Sequence, residues 1–116
     1  MLDITVSVAN GLAVVGLKGA LVRGEGTYLT EVIDWLRESG ERRIALHATG
    51  VSAVDIDGLV ALMECHAALS NSGGRLVIRM PSGTLRLALS RTGLDAILRI
   101  VDGPDPALYR ESVREV

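Results

Sequence analysis

The sequence predicts an α/β domain. Its sheet is mixed, opened by an antiparallel hairpin, continued by mainly parallel strands and covered by helices. Three observations lead there. The first 17 residues read as two strands joined by a tight turn. The remainder alternates helical stretches with short apolar runs, which is the signature of βαβ units. The apolar fraction is 48% yet contains no Phe and one Trp, so Val, Leu, Ile and Ala must fill the core. That aliphatic stock suits helices layered on a sheet. With 116 residues, the chain is expected to form a single domain over positions 1–116.

Residues 2–8 alternate Leu2, Ile4, Val6 and Val8 with Asp3, Thr5 and Ser7, as a half-buried strand does. Asn10-Gly11 then supplies the two positions that need positive φ in a hairpin turn, and 12–17 (LAVVGL) returns. Gly19 to Gly26 reads as loop. A helix follows from Thr27, with Leu29, Val32, Ile33 and Leu36 on one stripe and Ser39-Gly40 closing it. Arg43 to Ala48 is a short apolar strand without alternation, as buried parallel strands are. Leu59, Leu62, Met63, His66 and Leu69 recur at helical spacing, and Gly73-Gly74 ends that helix. Residues 75–80 form the next strand. A helix from Pro81-Ser82 carries Leu85, Ala88 and Leu89 toward Gly93. Residues 96–101 (AILRIV) make a last strand, and Asp105-Pro106 opens a C-terminal helix. The expected order is β-β-α-β-α-β-α-β-α.

Composition excludes several classes of function. Twelve basic residues against fourteen acidic give a net charge of −2 and no basic stripe, and aromatics are 3%. Binding nucleic acid by phosphate neutralisation or base stacking is therefore not expected. No apolar run approaches the ~20 residues of a membrane span. The start, MLDITVSV, has no signal-peptide character. Cys65 is the lone cysteine, so no internal disulfide forms. A cytoplasmic protein without cofactor is expected, with Cys65 a small core residue.

The informative stretch is AVDIDGLVALMECH, residues 53–66, where Asp55 and Asp57 flank Ile56. If a helix starts here, Asp55 is its N-cap and Asp57 its second position. Each helical residue turns by ~100°, so the two carboxylates splay apart. On a strand they would share a face. DIDGLV also resembles the first motif of haloacid-dehalogenase-type phosphatases, but that motif needs an apolar strand running straight into it, and the confident strand ends near Ala48. It also needs a later lysine, whereas Lys18 is the only one and lies upstream. A calcium loop lacks further carboxylates at ligand spacing. His47 and His66 are far apart and share no second thiol with Cys65, so no metal site is expected. Helix capping explains the acidity of the segment, though not the choice of two aspartates.

Residues 51–100 resemble the STAS domain of bacterial anti-sigma factor antagonists. Four motifs carry the likeness in order: Asp55-Ile56-Asp57-Gly58-Leu59, Gly73-Gly74, the strand Leu76 to Met80, and Thr92-Gly93-Leu94. The element order fits the family across the chain. The resemblance implies a signalling protein, not an enzyme, that binds an anti-sigma factor or serine-kinase-like partner. It places Asp55, Ile56, Asp57 and Gly58 at the centre of the contact surface, with Leu21 and Val22 beside them. A monomer or weak homodimer is expected.

Two departures matter. The serine that the family's kinase phosphorylates falls on Asp57, which offers no hydroxyl. A carboxylate there is a partial, permanent mimic of a phosphate's ~1.5–2 negative charges. The family's frequent Gly-Glu-Leu-Asp after the second strand is here Gly19-Ala20-Leu21-Val22. The rival readings are an assembly subunit of a signalling complex and, with no phosphate-cradling glycine loop in its favour, a nucleotide or small-ligand sensor.

Overall fold

The structure, a computed structural model, describes residues 1–102. The expected C-terminal helix at Asp105-Pro106 lies outside the described residues. Strand β1 (Leu2–Ala9) and β2 (Leu12–Leu21) form the hairpin. Asn10 and Gly11 take φ of 54° and 75° at its turn. Then come α1 (Glu25–Glu38), β3 (Arg43–Val54), α2 (Ile56–Asn71), β4 (Arg75–Arg79), α3 (Gly83–Thr92), a 3₁₀ turn (Leu94–Ala96) and β5 (Arg99–Val101). The strands lie in the order β1-β2-β3-β4-β5, with β1 antiparallel to β2 and every later pair parallel.

One face of the sheet builds the core. Ala13, Val15 and Leu17 of β2, Ile44, Leu46 and Ala48 of β3, and Leu76 and Ile78 of β4 alternate onto it. Leu29, Ile33 and Leu36 of α1, Leu59, Leu62 and Leu69 of α2, and Leu85 and Leu89 of α3 complete the same cluster. Cys65 is buried within it, and loss of solvation pushes its thiol up to about 12. On the opposite sheet face, Arg79 Nη1 lies 2.8 Å from His47 Nε2. A guanidinium only donates, so His47 accepts as a neutral ring. Partial burial, then the Arg79 charge, hold its pKa below the usual histidine value.

Several sequence expectations need correcting. β2 runs on to Leu21, through register shifts at Gly16/Lys18 and Gly19/Ala20, so the expected 19–26 loop shrinks to Val22–Gly24. α1 starts at Glu25, two residues before Thr27. β3 continues past Ala48 to Val54, because Val51 and Val54 still pair with Gly19 and Leu21. β5 is cut to three residues, since the chain first makes a 3₁₀ turn and tucks Leu98 into the core. β1 is buried at Leu2 and half-buried at Ile4, while Val6 and Val8 stay 40% and 46% exposed.

Candidate functional site

The double acid sits at a corner where β3 ends and α2 begins with no intervening loop. Val54 is the last strand residue, Asp55 is extended (φ −122°, ψ −176°), and Ile56 is the first helical residue. The corner is held at several points. Asp55 N donates to the Leu21 carbonyl (3.4 Å), and Leu59 N donates to the Asp55 carbonyl (3.0 Å). Asp55 Oδ1 accepts from Gly58 N and Oδ2 from Arg23 N, each at 2.9 Å. One carboxylate thus caps α2 and ties it to the loop between β2 and α1. Those two amides, Gly58's first, hold the Asp55 carboxyl below the usual carboxylate range.

Gly58 belongs to the same clasp. Its Cα faces the end of β2, where a Cβ would fall on the Leu21 carbonyl oxygen and within 2.9 Å of the Leu21 carbonyl carbon. Only hydrogen fits there. The first turn of α2 can therefore lie flat against β2, and its outward residues are pushed into solvent.

Those residues are Ile56, 67% exposed, and Asp57, also exposed. They form a ridge between two hollows. Asp57 faces a polar cleft of about 600 Å³ beside the start of α1, shared with Arg23, Thr27, Thr30 and Glu64. Ile56 heads an apolar groove of about 490 Å³ on the other flank, walled by Val60, Met63, Thr92 and Leu94. The carboxylates of Asp55 and Asp57 do splay, one turned inward to backbone amides and the other outward to the cleft.

One premise against phosphatase chemistry fails, because the strand does run straight into the double acid. The chemistry remains unsupported: Asp55 already spends both oxygens on backbone amides. Among the described residues, no three His, Cys, Asp or Glu side chains gather as metal ligands would. His66 is half-buried on α2, with its Nδ1 enclosed.

Of the sequence-derived site residues, Asp55, Ile56, Asp57 and Gly58 come together at the corner. Val22 is half-buried beside them, and its carbonyl accepts from Glu25 N (2.9 Å) and Gly26 N (3.3 Å). Leu21 is a correction. Its side chain is fully buried in the core, so it offers no contact surface and serves the site only through its carbonyl. Sequence reasoning missed Arg23 and the groove. The groove did leave a signal: Ile56, Val60, Met63 and Ala67 follow one another at steps of four, three and four, a second apolar stripe on α2 beside the core-facing one.

The model of one protein family, the STAS domain, matches residues 3–107. The chain belongs to the STAS domain family. No curated protein matches it in sequence. Among solved structures it is similar to an anti-sigma factor antagonist from Mycobacterium paratuberculosis, at 19% identity and TM-score 0.81, covering 97% of this chain and 95% of that one. A putative anti-sigma factor antagonist from Thermotoga maritima gives 21%, 0.82, and 94% of each chain. A sulfate transporter family protein from Wolinella succinogenes gives 26% and 0.76, covering 95% and 93%. These likenesses show that the STAS fold recurs in proteins of different settings. Among the described residues, no helix is long and apolar enough to cross a membrane.

Proposed function

We propose that this STAS domain is a non-enzymatic signalling protein of the anti-sigma factor antagonist type, acting in the cytoplasm. It binds an anti-sigma factor or serine-kinase-like regulator through the ridge that opens α2. The observation that carries this reading is the exposure of Ile56 beside Asp57 on a corner clamped by four hydrogen bonds. A large aliphatic side chain held rigidly in water gains most when a partner covers it. The apolar groove next to it extends the same surface. Asp55 acts as cap, Ile56 as apolar contact and Asp57 as a fixed charge. Gly58 permits close approach, and Val22 stands at the margin. The two antagonists among the structural neighbours support this class of partner.

Affinity capture from the native cell, with wild type and Ile56→Glu as paired baits, tests the reading. A kinase-like regulator retained by wild type and lost by the variant is the expected result. Equal retention of every captured protein by both baits would refute the ridge as the binding surface. Phosphate on residue 57 would contradict the fixed-charge role outright. The likeness to a sulfate transporter family protein favours a second reading, a module of a larger assembly. A defined high-order oligomer in solution would select it over the antagonist.

A further inference from the structure

We propose that the free edge of β1 and the adjoining flank of α1 form the interface of a symmetric dimer between two copies of this chain. This surface lies apart from the ridge at Ile56 and does not depend on the function proposed for it.

The first observation is where the aromatic residues sit. The chain has no Phe, and the aromatic side chains of the described residues are Tyr28 and Trp35. Neither is in the core: Tyr28 is 42% exposed and Trp35 59%. They stand seven residues apart on α1, on one stripe with half-buried Val32. The other flank of α1 is occupied by α2, since Arg37 reaches Ser72 and Thr30 lines the cleft with Asp57. The Tyr28–Val32–Trp35 stripe therefore faces the β1 side.

The second observation is β1 itself. It lies at the sheet's end and, among the described residues, pairs only with β2. Leu2 and Ile4 pack on the core, so Val6 and Val8, at the same alternation, point to the helix-bearing face. There they are exposed, on the same sheet face as the stripe. α1 runs back along the sheet after β2, and so in the same direction as β1. The two-residue turn closes on the Ala9–Leu12 pair. Alternation from that pair turns the N–H and C=O groups of Ile4, Val6 and Val8 away from β2, toward the open edge. β1 has no proline and no lysine, and Asp3 is its only charge. The usual guards of a free edge are missing.

A second copy satisfies both features at once. A two-fold axis normal to the sheet sets β1 antiparallel to its mate and keeps all helices on the same face. The two β2 strands are then three strand spacings apart, about 14 Å. Helices lying over them are farther apart than the 8–10 Å of direct helix packing. Trp35 and Tyr28 from each copy have the length to fill that gap above a floor of four valines. These side chains and the strand backbone would bury on the order of 1,000 Å² in total, at the low end for specific interfaces and suited to a weak dimer.

Sedimentation velocity of the full chain across a concentration series tests this, with Val6→Lys, Trp35→Glu and the control Ile56→Glu. All three changes are at exposed positions, and circular dichroism confirms that each variant folds. A monomer–dimer equilibrium in the micromolar range is expected. Val6→Lys and Trp35→Glu should each weaken it by about tenfold or more, while Ile56→Glu leaves it unchanged. A wild type that stays monomeric at several hundred micromolar, on the order of the weakest specific pairs, overturns the proposal. So does a dimer indifferent to either interface variant, or one lost in Ile56→Glu.

Discussion

Replacing Gly58 with Ala sets two effects of opposite sign against each other. Gly58 is in the first turn of α2, and alanine is the better helix former by about 1 kcal/mol in a helix interior. On propensity alone the variant would be more stable. The added Cβ would land on the Leu21 carbonyl oxygen and come within 2.9 Å of its carbon. Both are backbone atoms of β2, fixed by pairing with β3 and by the bond from Asp55 N, and cannot swing aside as a side-chain tip could. The helix start must move instead, straining the cap made by Asp55. Overpacking costs typically ~1–3 kcal/mol, and a backbone neighbour puts this site at the upper end. The net expectation is a loss of roughly 2 kcal/mol, about 8 °C in Tm for a domain of this size. Urea unfolding followed by circular dichroism measures it. Gly83→Ala is the internal control: it begins α3, and a Cβ there meets nothing within 4 Å. That change should be neutral or stabilise by up to about 1 kcal/mol. If Gly58→Ala proved as stable as Gly83→Ala, the close approach of α2 to β2 would not be what fixes the corner.

Other expectations follow from the same geometry. Cys65, buried and with its thiol pushed up to about 12, should react with a thiol reagent at neutral pH only as fast as the protein unfolds, a rate read directly by labelling with and without urea. Acid should destabilise in two stages. His47 is held below its free value of 6.5, so the unfolded chain takes up a proton first and stability falls as pH drops below about 6.5. The lowered Asp55 carboxyl contributes stability that is fully present above its unfolded value of 3.8 and is lost as pH falls through its folded one, which makes the second stage. His47→Gln should remove the first stage from a plot of urea midpoint against pH and leave the second. For the regulator proposed to bind the ridge, Asp57→Ser should change affinity more than Asp57→Glu. Calorimetry showing equal, negligible effects of both would dismiss the role of charge there.

The hairpin was legible because Asn-Gly is a local instruction that tertiary packing seldom overrides. The start of α2 was legible for the same reason, since Asp55 caps with its own side chain. What misled the reading was continuity. β3 looked finished at Ala48 because Thr49, Gly50 and Ser52 are exposed and interrupt the apolar run, yet the strand goes on where β2 supplies partners. The register shifts in the β2–β3 pair put the extra residues on β3, whose core positions pass from Ile44, Leu46 and Ala48 to Val51, so no single period of two runs through that strand. Leu21 was misplaced because β2 was ended at Leu17: once the strand is continued, alternation through Gly19 returns Leu21 to the core face. The groove beside Ile56 failed differently. α2 is apolar on two sides, and periodicity alone does not say which stripe meets the sheet. Nor does alternation along β1 tell that cover ends at Ile4.

A fixed carboxylate at position 57 does a different job from a phosphate that comes and goes. In the free protein it is exposed, and salt screens it beyond ~8 Å at physiological ionic strength. It therefore does little until a partner arrives. Docking that covers Ile56 and the groove must bring the partner close to Asp57 as well, because the two side chains are adjacent on one rigid turn. Covering a carboxylate without giving it a donor or a cation is costly, and opposing it with another carboxylate is worse. If the ridge is the proposed docking surface, the charge acts as a standing condition on which partner can dock rather than as a signal of when. Any timing must then come from the partner or from its supply. This also fixes the chemistry to look for on the other side: an apolar patch to receive Ile56, bordered by a basic or amide side chain within hydrogen-bond reach of Asp57. A partner whose matching surface is acidic at that point would mean that the ridge is not the docking site.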